Sequence, residues 1–159
     1  MSPIAHYIHI HLAGAAAGID LFESGGRAQK DRAIGAMVLA IREELLDERK
    51  RLSRMARDLG AGEAPVMSAL ARIGERVGRI RRAHGVLHRS ASADLVELET
   101  MRDAVAGKIA GWQALLTVVD DHAALNRPEL EQLLVQAERQ HNQLTEAHAR
   151  VAARVLAPA

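Results

Sequence analysis

Apolar residues recur along this chain in steps of three and four, with almost no strand-type alternation, and glycine and proline divide the pattern into four long segments and one short one. That spacing keeps one stripe of each helix facing a common interior. The pattern predicts long helices over about 4–24, 30–59, 93–122 and 128–156, with a shorter helix over about 66–82 inside a 60–92 crossover. Ser2-Pro3 supplies a start signal, Gly25-Gly26 and Gly60 supply stops, and Ser90, Ser92 and Asp94 are candidate caps for the third long helix.

The first stripe is Ile8, Leu12, Ala15, Ile19 and Phe22, and the second is Ile34, Val38, Ile41, Leu45, Leu52, Met55 and Leu59. The third is Leu95, Leu98, Val105, Ile109, Trp112, Leu116 and Val119, and the fourth is Leu134, Ala137, Leu144, Val151 and Val155. Four such stripes close a single all-α domain, a four-helix bundle spanning 1–159. Short links make the first and last pairs antiparallel hairpins. The crossover either runs the length of the bundle, leaving the second and third helices parallel as in ferritin-like folds, or lies across one end of an up-and-down bundle.

Composition narrows the chemistry. The 159 residues include no cysteine, which removes disulfides, thiolate zinc sites, iron–sulfur clusters and cysteine nucleophiles, and a chain of this length needs no metal or other cofactor to fold. A net charge of +1 argues against a strongly basic nucleic-acid arm, and one Trp, one Tyr and one Phe argue against base-stacking platforms. Residues 1–19 carry no Asp, Glu, Lys or Arg, yet His6, His9, His11, Gly14 and Gly18 interrupt them. They read as the least charged helix of a cytoplasmic protein, and neither as an export signal nor as a membrane span.

Polar residues on the apolar stripes carry the candidate chemistry, because a charged or imidazole group inside a bundle needs a partner. Glu48 falls between Leu45 and Leu52, Arg102 between Leu98 and Val105, and His141 and His148 fall on the fourth stripe, with His11 beside the first. At about 1.5 Å per residue, Glu48, His141 and His11 lie roughly 20–27 Å from the first turn and share a layer that Glu44 and Glu138 can join. Glu138-x-x-His141 has the spacing of carboxylate-bridged sites for iron or manganese. The second helix supplies no matching histidine, however, and Lys108 or Arg102 can neutralise a buried carboxylate without metal, so a structural network is the favoured expectation. Arg102 and His148 are expected to form another layer.

Arg76, Arg79, Arg81 and Arg82 form a candidate anion site in the crossover. An acidic third helix offers them internal partners, and no aromatic residue interleaves them, so nucleic-acid binding is disfavoured. The pairs Gly14/Gly18, Gly74/Gly78 and Gly107/Gly111 more readily permit close helix packing than mark an interaction motif. No Ser-His-Asp order, phosphate-binding loop or zinc-protease motif is present.

In plan, a helix pair, a crossover and a second helix pair resemble the ferritin-like superfamily. A closer similarity, carried by Gly74-Glu75-Arg76-Val77-Gly78-Arg79-Ile80, Arg89-Ser90, Leu95-Val96-Glu97-Leu98-Glu99 and Gly107-Lys108 followed by Trp112, is to an uncharacterised bacterial family of small helical proteins. That resemblance implies a helical fold and no assigned activity. The leading expectation is a non-enzymatic ferritin-like protein acting through protein association. The alternative is a metal-dependent oxidoreductase or storage protein using Glu44, Glu48, Glu138, His141 and His11, and the third is an anion or nucleic-acid binder. A homodimer is expected through the first helix, with Tyr7 and Ile10, or through the face near Gly107 and Gly111.

Overall fold

The computed structural model describes residues 2–61, 90 and 92–158. Among them are four long helices and no strand: α1 (Pro3–Ala28), α2 (Arg32–Asp58), α3 (Ala93–Thr117) and α4 (Arg127–Val155), with a 3-10 turn at Val119–Asp121. The short helix expected over 66–82 and the arginines Arg76, Arg79, Arg81 and Arg82 lie outside the described residues.

Local chemistry sets the starts. The Ser2 hydroxyl accepts from the Ala5 N–H ahead of Pro3, the Asp31 carboxylate accepts from the Ala33 and Ile34 N–H groups, and the Asn126 side chain accepts from the Glu129 N–H. Each cap satisfies donors that a helix start leaves without intrahelical partners. At the far end of α2, Gly60 takes a φ of +69°, a region open to glycine, so the Ala61 N–H can reach back to the Ala56 carbonyl.

Two expected boundaries differ. Gly25-Gly26 does not stop α1, which continues to Ala28, because both glycines are buried contact points: Gly25 lies under the Met101 side chain and Gly26 under Val38 and Leu39. The third helix ends at Thr117 instead of near 122, and a 3-10 turn takes the chain toward α4. Of its candidate caps, Ser92 stands at the cap position without a side-chain bond, while Asp94 instead accepts from the Lys30 backbone N–H at 3.1 Å.

That bond fixes the direction of α3. It places the start of α3 beside the α1–α2 turn, where Arg154 at the end of α4 also approaches Asp31 at 3.6 Å. At the opposite end, Arg54 of α2 holds Glu129 at the start of α4 at 2.5 and 2.6 Å. Hence α2 and α3 run parallel, and α1 and α4 run opposite to both. Each of α1 and α4 packs along its hairpin partner, α1 also meets α3 more sparsely, and α2 meets α4.

The core forms two clusters. One gathers Ile8, Leu52, Met55, Trp112, Leu115, Leu130, Leu133 and Ala137; the other, nearer the α1–α2 turn, gathers Phe22, Ile34, Val38, Ile41, Leu98, Met101, Val105, Leu144 and Val151. On α4 the buried stripe is Leu130, Leu133, Ala137, Gln140, Leu144, Ala147 and Val151. It is rotated from the expected stripe, so Gln140 points inward where His141 was expected. On α3 Met101 takes the inward place expected of Arg102.

The glycines predict a contrast in stability. A Cβ on Gly35 would fall 2.7 Å from the Gly26 carbonyl oxygen, so Gly35→Ala is expected to cost about 1–3 kcal/mol through forced backbone movement. A Cβ on Gly107 meets nothing within 4 Å, so Gly107→Ala is expected to add about 0.5–1 kcal/mol by relieving glycine's entropy cost in a helix. Urea unfolding of both variants checks this, and equal midpoints would contradict it.

Candidate functional site

Between the two core clusters, α2, α3 and α4 bring together a polar layer. Glu48 is only 3% exposed and Gln140 is fully buried. The Lys108 ammonium donates to Glu48 Oε2 at 2.6 Å and to Gln140 Oε1 at 2.5 Å. Gln140 Nε2 donates to Glu48 Oε1 at 2.9 Å and to Glu44 Oε2 at 2.7 Å, while Gln136 adds a bond to Glu48 Oε1 at 2.8 Å. Arg139 closes the outer side by donating to Glu44 Oε1 at 2.7 Å.

Every polar atom of the Gln140 amide is therefore used, and both Glu48 oxygens are engaged. Two carboxylates, Glu44 and Glu48, face two cations, Lys108 and Arg139, so the layer is neutral as a set. Burial pushes the Lys108 amine below the usual lysine value, and the adjacent Glu48 carboxylate opposes that shift. A buried ion pair keeps its place only when its remaining hydrogen-bonding capacity is met, and the glutamines meet it here.

The layer corrects the expected donor set. Glu44 and Glu48 are brought together, but Glu138 is exposed, and His141 is half-buried, its carbonyl accepting from the Thr145 hydroxyl. His11 belongs to α1, where its ring stacks obliquely on Tyr7 at 4.6 Å between centroids and lies against Gly111. No cluster of three or more His, Asp or Glu residues able to hold a metal occurs among the described residues. The arrangement does not fit a carboxylate-bridged centre, because the Lys108 nitrogen stands where a cation would meet Glu48 and no histidine joins the carboxylates. The second expected layer is also replaced, as His148 bonds Glu99 at 2.9 Å instead of meeting Arg102.

Beside the polar layer, α1, α2 and α3 line a partly open cavity of about 270 Å³. Its position follows from the sequence of α1. Ile8 and Phe22 fill the two core clusters, but between them α1 presents Gly14, Ala15 and Gly18 to the space opposite Gly107 and Lys108. A Cβ on Gly18 or Gly107 would meet nothing, whereas one on Gly111 would collide with the His11 ring. The glycines thus serve two purposes: Gly111 admits His11, and Gly18 and Gly107 leave the space empty. Among Gly18, Gly107 and Gly111, the close packing expected from the sequence accounts for Gly111 alone.

Most of the lining is apolar, including Ile8, Leu45, Leu52, Val105, Trp112 and Leu115. The polar exceptions are Tyr7, His11, Glu48, Arg49 and Lys108. Burial lowers the His11 pKa from its ordinary value, which favours the neutral ring near neutral pH. Trp112 is 4% exposed, and its indole N–H is buried without an acceptor among the described residues. Lys108 stands where it was expected, as a cation beside a buried carboxylate, whereas Gln140 was not expected; its cue was its three-and-four spacing from Ala137 and Leu144. Compared with known protein families, characterised proteins and solved structures, this chain matches none.

The polar layer predicts strong coupling between its charges. Lys108→Met leaves Glu48 buried without its cation and is expected to cost about 3–5 kcal/mol. Combining it with Glu48→Leu is expected to cost clearly less than the two single changes added together. Denaturant titrations of the three variants measure the cycle, and strict additivity would show that the pair is not coupled.

Proposed function

We propose that this chain is a non-enzymatic, ferritin-like four-helix bundle that binds a small apolar ligand between α1 and α3. The ferritin-like reading is supported by two antiparallel helix pairs with α2 and α3 parallel. The binding reading is carried by one observation: a cavity of about 270 Å³ with largely apolar walls, set against a polar layer whose bonds hold the adjoining helices. An apolar cavity of about 150 Å³ already accommodates benzene, so this one has room for roughly ten carbon atoms. Pockets of this kind, apolar with a few fixed polar groups, are the usual form of small-molecule sites. The engaged Glu48 oxygens and the pairing of Lys108 favour binding over catalysis, since neither group is poised to exchange protons with a substrate.

Trp112, the only tryptophan, lines the cavity and serves as its reporter. Titration with 1-decanol is expected to shift Trp112 fluorescence saturably, with one site per chain. Gly107→Phe, which projects a ring into the space, is expected to weaken binding at least about tenfold while the helical circular dichroism persists. Unsaturable partitioning, or unchanged affinity in the variant, would exclude this cavity as the site.

A second reading, self-association as a homodimer, is favoured by Ile10, which lines the same opening and is 44% exposed. Light scattering across a concentration range is expected to give a dimer mass that Ile10→Glu lowers. A monomer mass at every concentration would remove this reading.

A further inference from the structure

We propose that the occupant of this cavity is a single-chain, medium-length carboxylate, free in solution, with its tail between α1 and α3 and its head against Lys108. The inference rests on the cavity being a ligand site and adds the charge and shape of the ligand.

The charge follows from the groups on the wall. Glu48 contributes one negative charge, Lys108 and Arg49 contribute two positive charges, and burial lowers the His11 pKa, which favours its neutral ring near neutral pH. Behind the wall, Glu44 and Arg139 cancel through their own ion pair. The interior pair is neutral, and the exposed Arg49 leaves the lining with one positive charge in excess, which attracts an anionic head. An ammonium head would be repelled by both Arg49 and Lys108.

Hydrogen bonding points the same way. A lysine ammonium has three donors. Glu48 and Gln140 take two of them, and no described residue takes the third. Lys108 is also the more exposed member of the buried pair, its side chain 16% accessible against 4% for Glu48, as expected for the partner facing the opening. Glu48 cannot serve as the recognition group, because its oxygens already accept from Lys108, Gln136 and Gln140. The unused group on Lys108 is a donor, and a carboxylate supplies acceptors only.

Shape limits the tail. The room for roughly ten carbon atoms fits one chain of that length and excludes a two-chain lipid. Arg49, exposed on α2 at the cavity lining, adds attraction for an incoming anion.

The test compares three ligands that share a ten-carbon chain and differ in the head: decanoate, 1-decanol and decylamine, each titrated against the full chain at pH 7 below its aggregation concentration, with Trp112 fluorescence and calorimetry as readouts. Decanoate is expected to bind about tenfold more tightly than decanol, the scale of a charge-assisted hydrogen bond, and decylamine more weakly than decanol. Lys108→Met is expected to abolish the preference for decanoate. Arg49→Ala, an exposed change that leaves the interior layer intact, is expected to reduce that preference and its sensitivity to salt, which keeps the question open to test if Lys108→Met fails to fold. Binding of decanol with no preference for decanoate would overturn the carboxylate assignment and leave the apolar site standing. Failure of all three to bind would overturn both and leave the opening to a protein surface.

Discussion

Glu48 is a carboxylate in the middle of a helical bundle, and its stability there depends on neighbours from two other helices. Lys108 of α3 neutralises it, while Gln136 and Gln140 of α4 use its remaining lone pairs. A charge at this depth tolerates little sliding or rotation of those helices, because moving any one of them by a residue would strand a donor or an acceptor. The layer separates the two apolar clusters, which gain their stability from burial but say less about register. Apolar packing thus draws the four helices together, and the polar layer selects their rotational setting.

No α1 residue bonds to the Glu48–Lys108–Gln140 network. At that height α1 carries Gly14, Ala15 and Gly18, so the three remaining helices form a hydrogen-bonded frame and α1 closes over it without filling the space. The helix is secured above and below, by Phe22, Gly25 and Gly26 near the turn and by Ala5 and Ile8 toward the other end. This division explains how a cavity survives in a chain with well-packed cores. The Glu48 oxygens are engaged by Lys108, Gln136 and Gln140, and the bulk that would close the space is absent from both α1 and α3.

The helices themselves were legible because their apolar spacing is regular and their start signals have simple chemistry. On α2 even the exception was legible: Glu48 occupies a step between Leu45 and Leu52 that can only face inward. The phase of α4 was harder to read. Leu134, His141 and His148 repeat every seven residues and suggest one stripe, but Leu130, Leu133, Ala137, Leu144, Ala147 and Val151 define the buried one, with Gln140 in the gap. Hydropathy alone placed a histidine inside and a glutamine outside, whereas the amide suits an interior partner of Lys108 and two carboxylates because it both donates and accepts. The directions of α2 and α3 were not legible, since a connection of about 30 residues allowed either arrangement; the deciding Asp94-to-Lys30 bond resembled a helix cap.

A carboxylate in the interior of a helical bundle needs a cation to balance it. Here the cation is a covalent part of α3. A lysine ammonium reaches through a flexible stem, accepts no coordination from a fourth helix and holds its charge without histidine ligands. One ammonium, unlike a metal ion, does not require ligands converging from every helix, so α1 takes no part in the layer and carries glycine and alanine at this height. The interior ion pair and the cavity are therefore linked: because Lys108 neutralises Glu48 from α3, α1 need not supply charge to the layer, and its small residues leave space on that side of the bundle.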